Sequence, residues 1–424
     1  MAKLPGGLDF LQGQPLRLPA PPEQLPAHPL QVFCPQRPEV ITGQTVRRGQ
    51  MLIEPIRPSD ACHVSPITGT VRSVTPLSGD EGYRVMIEPP AGTVVTTLEV
   101  TPPRGRKLEN WFAVLRQVGP WSEIDGGVGL IRQLDAARNR PVDRLVCVGL
   151  DRFPPYPDRS SLLMSFPDDA VLGTLILADM LNVKQVVMLA GRVPAMLGRL
   201  RSSCRKYRLK LVVEANRYPS AHPTMVAFGG RSARGGSRYL PNGHNPVEQG
   251  VMMITPWTAV RIGRWFTLRR FDLLRPVFLA RPDRLELLTG HYAMPGAPLS
   301  TLADDLTSSM IDAGRVLSGD PMTGRPIRDP AIVPVDQSLV TVLGEAPART
   351  VEPCINCGWC LDVCPTRLDP VRMVRAAERR VDDAWLWDQL PWCIDCGLCS
   401  YVCPSAIPLT QTFSRVQREM GGRE

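Results

Sequence analysis

Near its end the chain carries one cysteine rhythm twice: Cys354-Ile-Asn-Cys357-Gly-Trp-Cys360-Leu-Asp-Val-Cys364-Pro365 and Cys393-Ile-Asp-Cys396-Gly-Leu-Cys399-Ser-Tyr-Val-Cys403-Pro404. Eight of the twelve cysteines sit in these runs. The spacing C-x2-C-x2-C-x3-C-P suits a [4Fe–4S] cluster. Three thiolates on one tight loop can each take an iron of a cubane only if the backbone curls around it. Gly358 and Gly397 allow that curl, because glycine reaches positive φ without a Cβ clash. Pro365 and Pro404 stop the loop from running on as helix. The other uses of cysteine fit poorly. A disulfide framework belongs to a small secreted chain, whereas this one has 424 residues and opens Met1-Ala2-Lys3-Leu4-Pro5 without the apolar stretch of a signal peptide. Zinc takes two CxxC pairs for one metal and leaves the third cysteine of each run idle.

The rest of the composition sets bounds. The length allows two to four domains, and a hydrophobic content of 43% supplies an ordinary core. No apolar run approaches the ~20 residues that span a bilayer; Val171 to Leu181 is short, contains Asp179 and reads as a buried helix. Net charge is +8, carried mostly by arginine spread along the chain without a block of like charges. With no finger, aromatic RNA-binding motif or basic helix-turn-helix, a solvated basic surface is expected and nucleic acid is not a partner. Cys34, Cys62, Cys147 and Cys204 have no partners at ligand spacing and receive no role; Cys147 lies in the apolar run 145–148.

Elements must position the cysteine runs. Residues 1–30 are rich in Pro, Leu and Gly and predict an extended segment wrapped over a neighbouring domain. Over 31–100, short β-branched stretches alternate with turn glycines (Gly43, Gly49, Gly69), predicting a small sandwich or flattened barrel. Over 111–271, strand and helix signals alternate: strands at 145–148, 184–190 and 209–213, helices at 170–181 and 196–207. That order predicts βαβ units and a mostly parallel, Rossmann-like sheet. Residues 225–250 read as a glycine-rich loop, and 251–254 lead on towards 258–262. Residues 272–345 predict a compact β-rich, ubiquitin-like module with a helix at Leu302–Leu306. In 350–415 the two runs are joined by a helix over 369–390, with Val371, Val374, Ala377, Val381 and Trp385 at helical spacing and facing both clusters.

Two resemblances follow from these motifs. The cysteine runs are similar to those of bacterial two-cluster ferredoxins, which implies that the fourth cysteine of each run serves the other cluster. Cys354, Cys357, Cys360 and Cys403 would hold one cubane, and Cys393, Cys396, Cys399 and Cys364 the second. The pieces in order resemble the RnfC family, the C subunits of Rnf electron-transport complexes. The carriers are Gly6-Gly7, the stretch Gly43…Gly49-Gln50…Ser65-Pro66…Gly69-Thr70, the Gly126-Gly127-Val-Gly129 loop, Gly319-Asp-Pro321-Met322-Thr-Gly324 and the cysteine tail. The resemblance implies a barrel-sandwich hybrid, a Rossmann-like α/β domain, a ubiquitin-like (SLBB-type) β-grasp module and a helical dicluster ferredoxin domain. The hybrid has no modifiable lysine in 57–63 and reads as structural.

The resemblance also implies FMN and NAD(H) at Gly126, Gly127 and Gly129. There the chain departs from the family: Gly129 runs into Leu130-Ile131, the later glycines, the aromatic-Pro pair and the lysine are missing, and Gly149–Tyr156 keeps only Pro155 and Tyr156 of the strand-end motif. The bulky pair is expected to obstruct a flavin. The reading is therefore a relay through two [4Fe–4S] clusters, with no catalytic residue assigned, between a soluble donor and membrane-integral or flavoprotein partners. The expected location is the cytoplasm, peripheral on the inner face of the cell membrane. An NADH-oxidising FMN-dependent reductase, similar to cobalamin reductases, and a non-redox scaffold with structural clusters remain the alternatives.

Overall fold

In the computed structural model, residues 6–53, 63–77, 82–117, 129–227, 243–282, 287–306, 310–311, 313–327, 332–334, 337–345, 349–378 and 384–421 are described. The chain opens as a strap. Pro15 and Pro19 rule out a helix there, so its backbone groups find partners on other elements. Leu8 bridges Tyr218, Gly13 N–H donates to the Pro154 carbonyl, and the Leu16 and Leu18 amides donate to Ser161 and Ser165 Oγ.

Strands β1 (Leu30–Cys34), β2 (Thr45–Val46), β3 (Gly69–Pro76) and β4 (Tyr83–Glu88) form an antiparallel sheet in the order β1-β4-β3-β2. Its inward residues, among them Leu30, Val46, Val71, Val85 and Ile87, do not close a core alone. They share one with Val277, Ala293, Val316 and Val340 from much later in the chain.

Helix α1 (Leu108–Gln117) precedes the central layer, where α2 (Leu130–Ala136) leads into β5 (Arg144–Gly149). Then follow α3 (Asp158–Ser165), α4 (Pro167–Met180), β6 (Gln185–Gly191), α5 (Pro194–Lys206), β7 (Lys210–Glu214), β8 (Val251–Ile254) and α6 (Pro256–Leu268). The four strands are parallel in the order β7-β6-β5-β8. Alternation sorts β5 between two cores: Leu145 and Cys147 face one side, Val146 and Val148 the other. On the first side α4 and α6 pack backbone to backbone. A Cβ on Gly173 would sit 1.8 Å from the Ala259 carbonyl oxygen, and one on Gly263 2.1 Å from that of Asp169. The sequence reading assigned no helix at 258–262; α6 forms because Thr255 accepts from the Thr258 amide as an N-cap and Pro256 starts the first turn.

A second sheet joins β9 (Arg275–Ala280), β10 (Leu288–Ala293), β11 (Val316–Ser318), β12 (Arg325–Pro326) and β13 (Leu339–Val342) in the order β10-β9-β13-β11-β12. The helix expected at Leu302–Leu306 is absent. A 3-10 turn at Leu299–Thr301 gives way to irregular turns, because so short a segment cannot offset helix nucleation and Asp305 is drawn onto Arg281 at 2.8 Å. The tail comprises α7 (Trp359–Val363), α8 (Pro370–Glu378), α9 (Ala384–Gln389), α10 (Leu398–Tyr401) and α11 (Leu409–Gly421). Where one helix was expected over 369–390 there are two, α8 and α9, and Val381 lies outside the described residues. Cys34, Cys147 and Cys204 are buried, and Cys62 lies outside the described residues.

Candidate metal centre

The tail is duplicated in conformation as well as in sequence. Asn356 and Asp395 hold matching places in the two runs with φ of 58° and 50°, and Gly358 and Gly397 follow with 79° and 78°. Arg367 and Ala406, after the fourth cysteines, match again at 57° and 52°. Two left-handed residues per loop wind the backbone so that three cysteines face one point. Glycine does this freely, and Asn or Asp with little penalty. Motif reading identified the glycines and missed Asn356 and Asp395, whose residue type was the available signal. Helices α7 and α10 carry the third cysteine of each run. Helices α8 and α11 then start at equivalent positions, Pro370 and Leu409, and pack through Met373, Val374, Leu409 and Phe413.

Cys354, Cys357 and Cys360 line one recess together with Cys403 from the other run, and its apolar walls include Val371, Val374, Ile407 and Leu409. Cys393 lies within electrostatic reach of Cys396 and Cys399, and both of those feel Cys364. Cys360 lies within electrostatic reach of Cys399 as well as Cys357, which links the two sets. Burial pushes the Cys396 thiol up to about 12 and Cys360 to about 11, and raises Cys393 and Cys399. These four thiols are therefore held neutral in the bare loops, and iron must displace their protons. Among the described residues no three His, Cys, Asp or Glu groups form a site for a single metal ion. A cubane asks for a different arrangement, one thiolate per iron. The donor set fits it: four sulfurs around an apolar recess, with N–H and O–H groups aimed at sulfur. Leu368 N–H donates to Cys364 Sγ at 3.2 Å, and Thr410 Oγ1 lies 3.4 Å from Cys399 Sγ.

The two loops differ in surroundings. The first faces solvent: Ile355 is 67% and Trp359 55% exposed, and Arg375 donates to Asn356 Oδ1 at 2.7 Å. The second is seated on the body of the protein. Tyr218, buried and with its hydroxyl pushed well above the ordinary range by burial, donates to the Cys396 carbonyl at 2.6 Å. A Cβ on Gly397 would lie 2.8 Å from the Met322 carbonyl oxygen. Asp320 shapes that contact by accepting from the Met322 and Thr323 amides and the Thr323 hydroxyl. The Gly319–Gly324 motif is thus a turn that seats the second loop. The strap closes the other side: Gly7 N–H donates to the Val363 carbonyl, and Gly6 passes so close that a Cβ would lie 2.5 Å from the Cys364 carbonyl oxygen.

Of the glycines expected at a flavin, Gly126 and Gly127 lie outside the described residues, and Gly129 is the N-cap of α2. Leu130 and Ile131 are buried core residues, so their role is packing rather than the obstruction expected of them. Gln133 on α2 donates to the Met253 carbonyl and accepts from its amide, capping the free edge of β8. At the carboxyl end of β5 lies a buried polar network that no motif pointed to. Asp151 accepts from the Ser160 amide, the Ser160 hydroxyl and Asn216, and Asn216 donates onward to Gln12 of the strap.

Residues 353–407 match the family model of the 4Fe-4S dicluster domain. Among curated proteins the chain is 27% identical over 368 residues to the C subunit of the ion-translocating oxidoreductase complex of Pseudomonas aeruginosa, covering 81% of this chain and 45% of that protein. It is 25% identical over 385 residues to the corresponding C subunit of Yersinia enterocolitica, covering 85% and 52%. It is also 25% identical over 149 residues to the C subunit of the Na(+)-translocating ferredoxin:NAD(+) oxidoreductase complex of Acetobacterium woodii, covering 34% and 33%. The chain thus spans about half the length, or less, of the curated relatives it matches. Among solved structures, an NAD+-reducing [NiFe]-hydrogenase in the H2-reduced state aligns at 12% identity with a TM-score of 0.41, over 70% of this chain and 58% of that one. The chain is RnfC-like, a mixed α/β relative of the C subunits of ion-translocating oxidoreductase complexes that ends in a 4Fe-4S dicluster domain.

Proposed function

We propose that this chain is the electron-relay subunit of an Rnf-type complex, passing electrons through two [4Fe–4S] clusters to a membrane-integral or flavoprotein partner on the inner face of the membrane. The observation that carries the reading is the recess in which Cys403 of the second run completes the set Cys354, Cys357 and Cys360. By the same duplication Cys364 would complete Cys393, Cys396 and Cys399, and Cys360 lies within electrostatic reach of Cys399 in the other set. When bound, the clusters supply one-electron carriers. The chain's own residues fix them in place: α8 and α11 exclude water with Val374 and Leu409, Leu368 N–H lowers the charge at Cys364 sulfur, and Tyr218 and Met322 hold the second loop. The seated second loop and the open first loop make the first the exit towards a partner.

The domain reading belongs to the same proposal. Residues 31–100 form a barrel-sandwich hybrid without a carrier lysine, 111–271 a Rossmann-like domain, 272–345 a β-grasp module and 350–415 the ferredoxin-type domain. The shared core of β1–β4 with β9–β13 supports reading the hybrid and the grasp as one rigid support. Anaerobic purification with iron and sulfide analysis tests the function: about eight irons per chain are expected, with an EPR signal from coupled reduced clusters after dithionite. About four irons or fewer, or a zinc-loaded protein with no signal, refutes it.

A further inference from the structure

The chain's net charge is not spread over its surface. Arg192, Arg199, Arg201, Arg205, Lys206, Arg208 and Lys210 are all exposed, and the 192–210 stretch contains no Asp or Glu. Seven of the eight excess positive charges therefore come from nineteen consecutive residues. They were not legible as a charge block because apolar residues interrupt them. Helix α5 buries Met196, Leu197, Leu200 and Cys204 against the sheet, and that spacing sends the basic side chains to the opposite face. Exposed Lys184, at the start of the neighbouring β6, extends the face along the amino-terminal edge of the sheet. Asp168 answers part of it, holding Lys206 at 2.9 Å and also feeling Arg199.

We propose that this face of α5 and the β7 start lies against an anionic bilayer surface, its arginines meeting phospholipid phosphates. The inference rests on the reading that the chain works beside a membrane partner. Three features select the occupant. Arginine's planar fork matches phosphate oxygens bidentately. The helix's apolar side is already committed to the core, so attachment is electrostatic and shallow, without insertion. The densest charges also lie at the wrong end of the molecule for an electron carrier. Lys210 begins β7, whereas Tyr218, which touches the second cysteine loop, follows the far end of that strand. At ~3.3 Å per residue the strand's four steps alone separate them by roughly 13 Å. A redox partner seated on α5 would be held away from the clusters, so this face suits an attachment surface and leaves the exposed first cysteine loop free for the electron-accepting partner.

The test is co-sedimentation of the intact, anaerobically purified protein with phosphatidylcholine vesicles containing about one third phosphatidylglycerol, a surface that attracts each basic residue by about 1 kcal/mol. Binding to these vesicles, and not to pure phosphatidylcholine, is expected, with release at high salt. Arg201→Ala should weaken it roughly five-fold and the triple variant Arg199→Ala/Arg201→Ala/Arg205→Ala about a hundred-fold. Arg37→Ala, exposed elsewhere, should leave it unchanged. Iron content confirms that each variant is folded. Equal binding to neutral vesicles, or indifference to the triple change, overturns the proposal. So does displacement by millimolar inorganic phosphate, which marks a free-anion site, or an arginine-dependent preference for DNA or an acidic polypeptide over vesicles. Failure with the full iron content sinks the surface alone, whereas vesicle binding by iron-free protein sinks the relay.

Discussion

Replacing Tyr218 by Phe removes one hydroxyl from the junction between the parallel-sheet domain and the second cysteine loop. The ring remains, with its edge contacts to Phe10 and Phe153 at centroid distances of 5.9 and 6.0 Å. What is lost is the 2.6 Å bond to the Cys396 carbonyl. Because only the donor is removed, the loss is that of a buried carbonyl left unsatisfied, about 1–3 kcal/mol. The middle of that range, about 2 kcal/mol, corresponds to about a thirty-fold increase in local opening of the loop. The assay is the rate at which a strong iron chelator strips the anaerobic protein. Wild type should release iron slowly. In Tyr218→Phe about half the iron, that of the cluster bound by Cys396, should leave ten- to thirty-fold faster while the other half keeps its rate. Unchanged kinetics, or equal acceleration of all the iron, would show that the second loop does not depend on Tyr218.

Gly6→Ala sets a methyl 2.5 Å from the Cys364 carbonyl oxygen at a φ of +66°, so the strap should lift, at a cost of at least about 1 kcal/mol from the left-handed backbone alone. Hydrogen exchange at the Leu8 and Gly13 amides should quicken several-fold, and unchanged protection would contradict the strap's role. Asp151 is a pH-dependent element. Burial first, then the nearby Asp158 charge, raise its carboxyl to about 7 against the donors Ser160 and Asn216. The folded state thus keeps a proton that the unfolded chain, with its ordinary value of 3.8, has lost. This contribution to stability therefore falls as pH rises from about 4 to about 7 and is flat above that window. The thermal midpoint of Asp151→Asn relative to wild type should climb across the same window, and a difference independent of pH would refute the assignment.

The metal chemistry was legible because the cubane dictates ligand spacing, and spacing survives as a string. The parallel sheet was legible for a similar reason: β5, β6 and β7 are apolar runs bounded by helices with periodic burial. What escaped depends on partners distant in sequence. Helix α6 announces itself only through the Thr255 cap and Pro256, and its packing on α4 rests on Gly173 and Gly263, which look unremarkable in isolation. The 302–306 segment has helix-forming leucines, yet Arg281, from another element, claims Asp305. Leu130 and Ile131 read as a blockage by comparison with a family loop, but the first turn of α2 aims them into the core. The Gly6-Gly7 and Gly319–Gly324 motifs could be noticed and not interpreted. Their meaning is the pair of backbone contacts, to Cys364 and to Gly397, that dock the tail on the body.

The sorting of sulfur between the clusters is tested most directly by EPR and iron analysis of Cys403→Ala beside Cys357→Ala and Cys396→Ala. Crossed ligation predicts that Cys403→Ala loses the same cluster as Cys357→Ala, keeping about four irons and the spectrum of the other. Loss of the cluster that Cys396→Ala removes would mean that each run closes its own site, and the interlocked relay would be wrong.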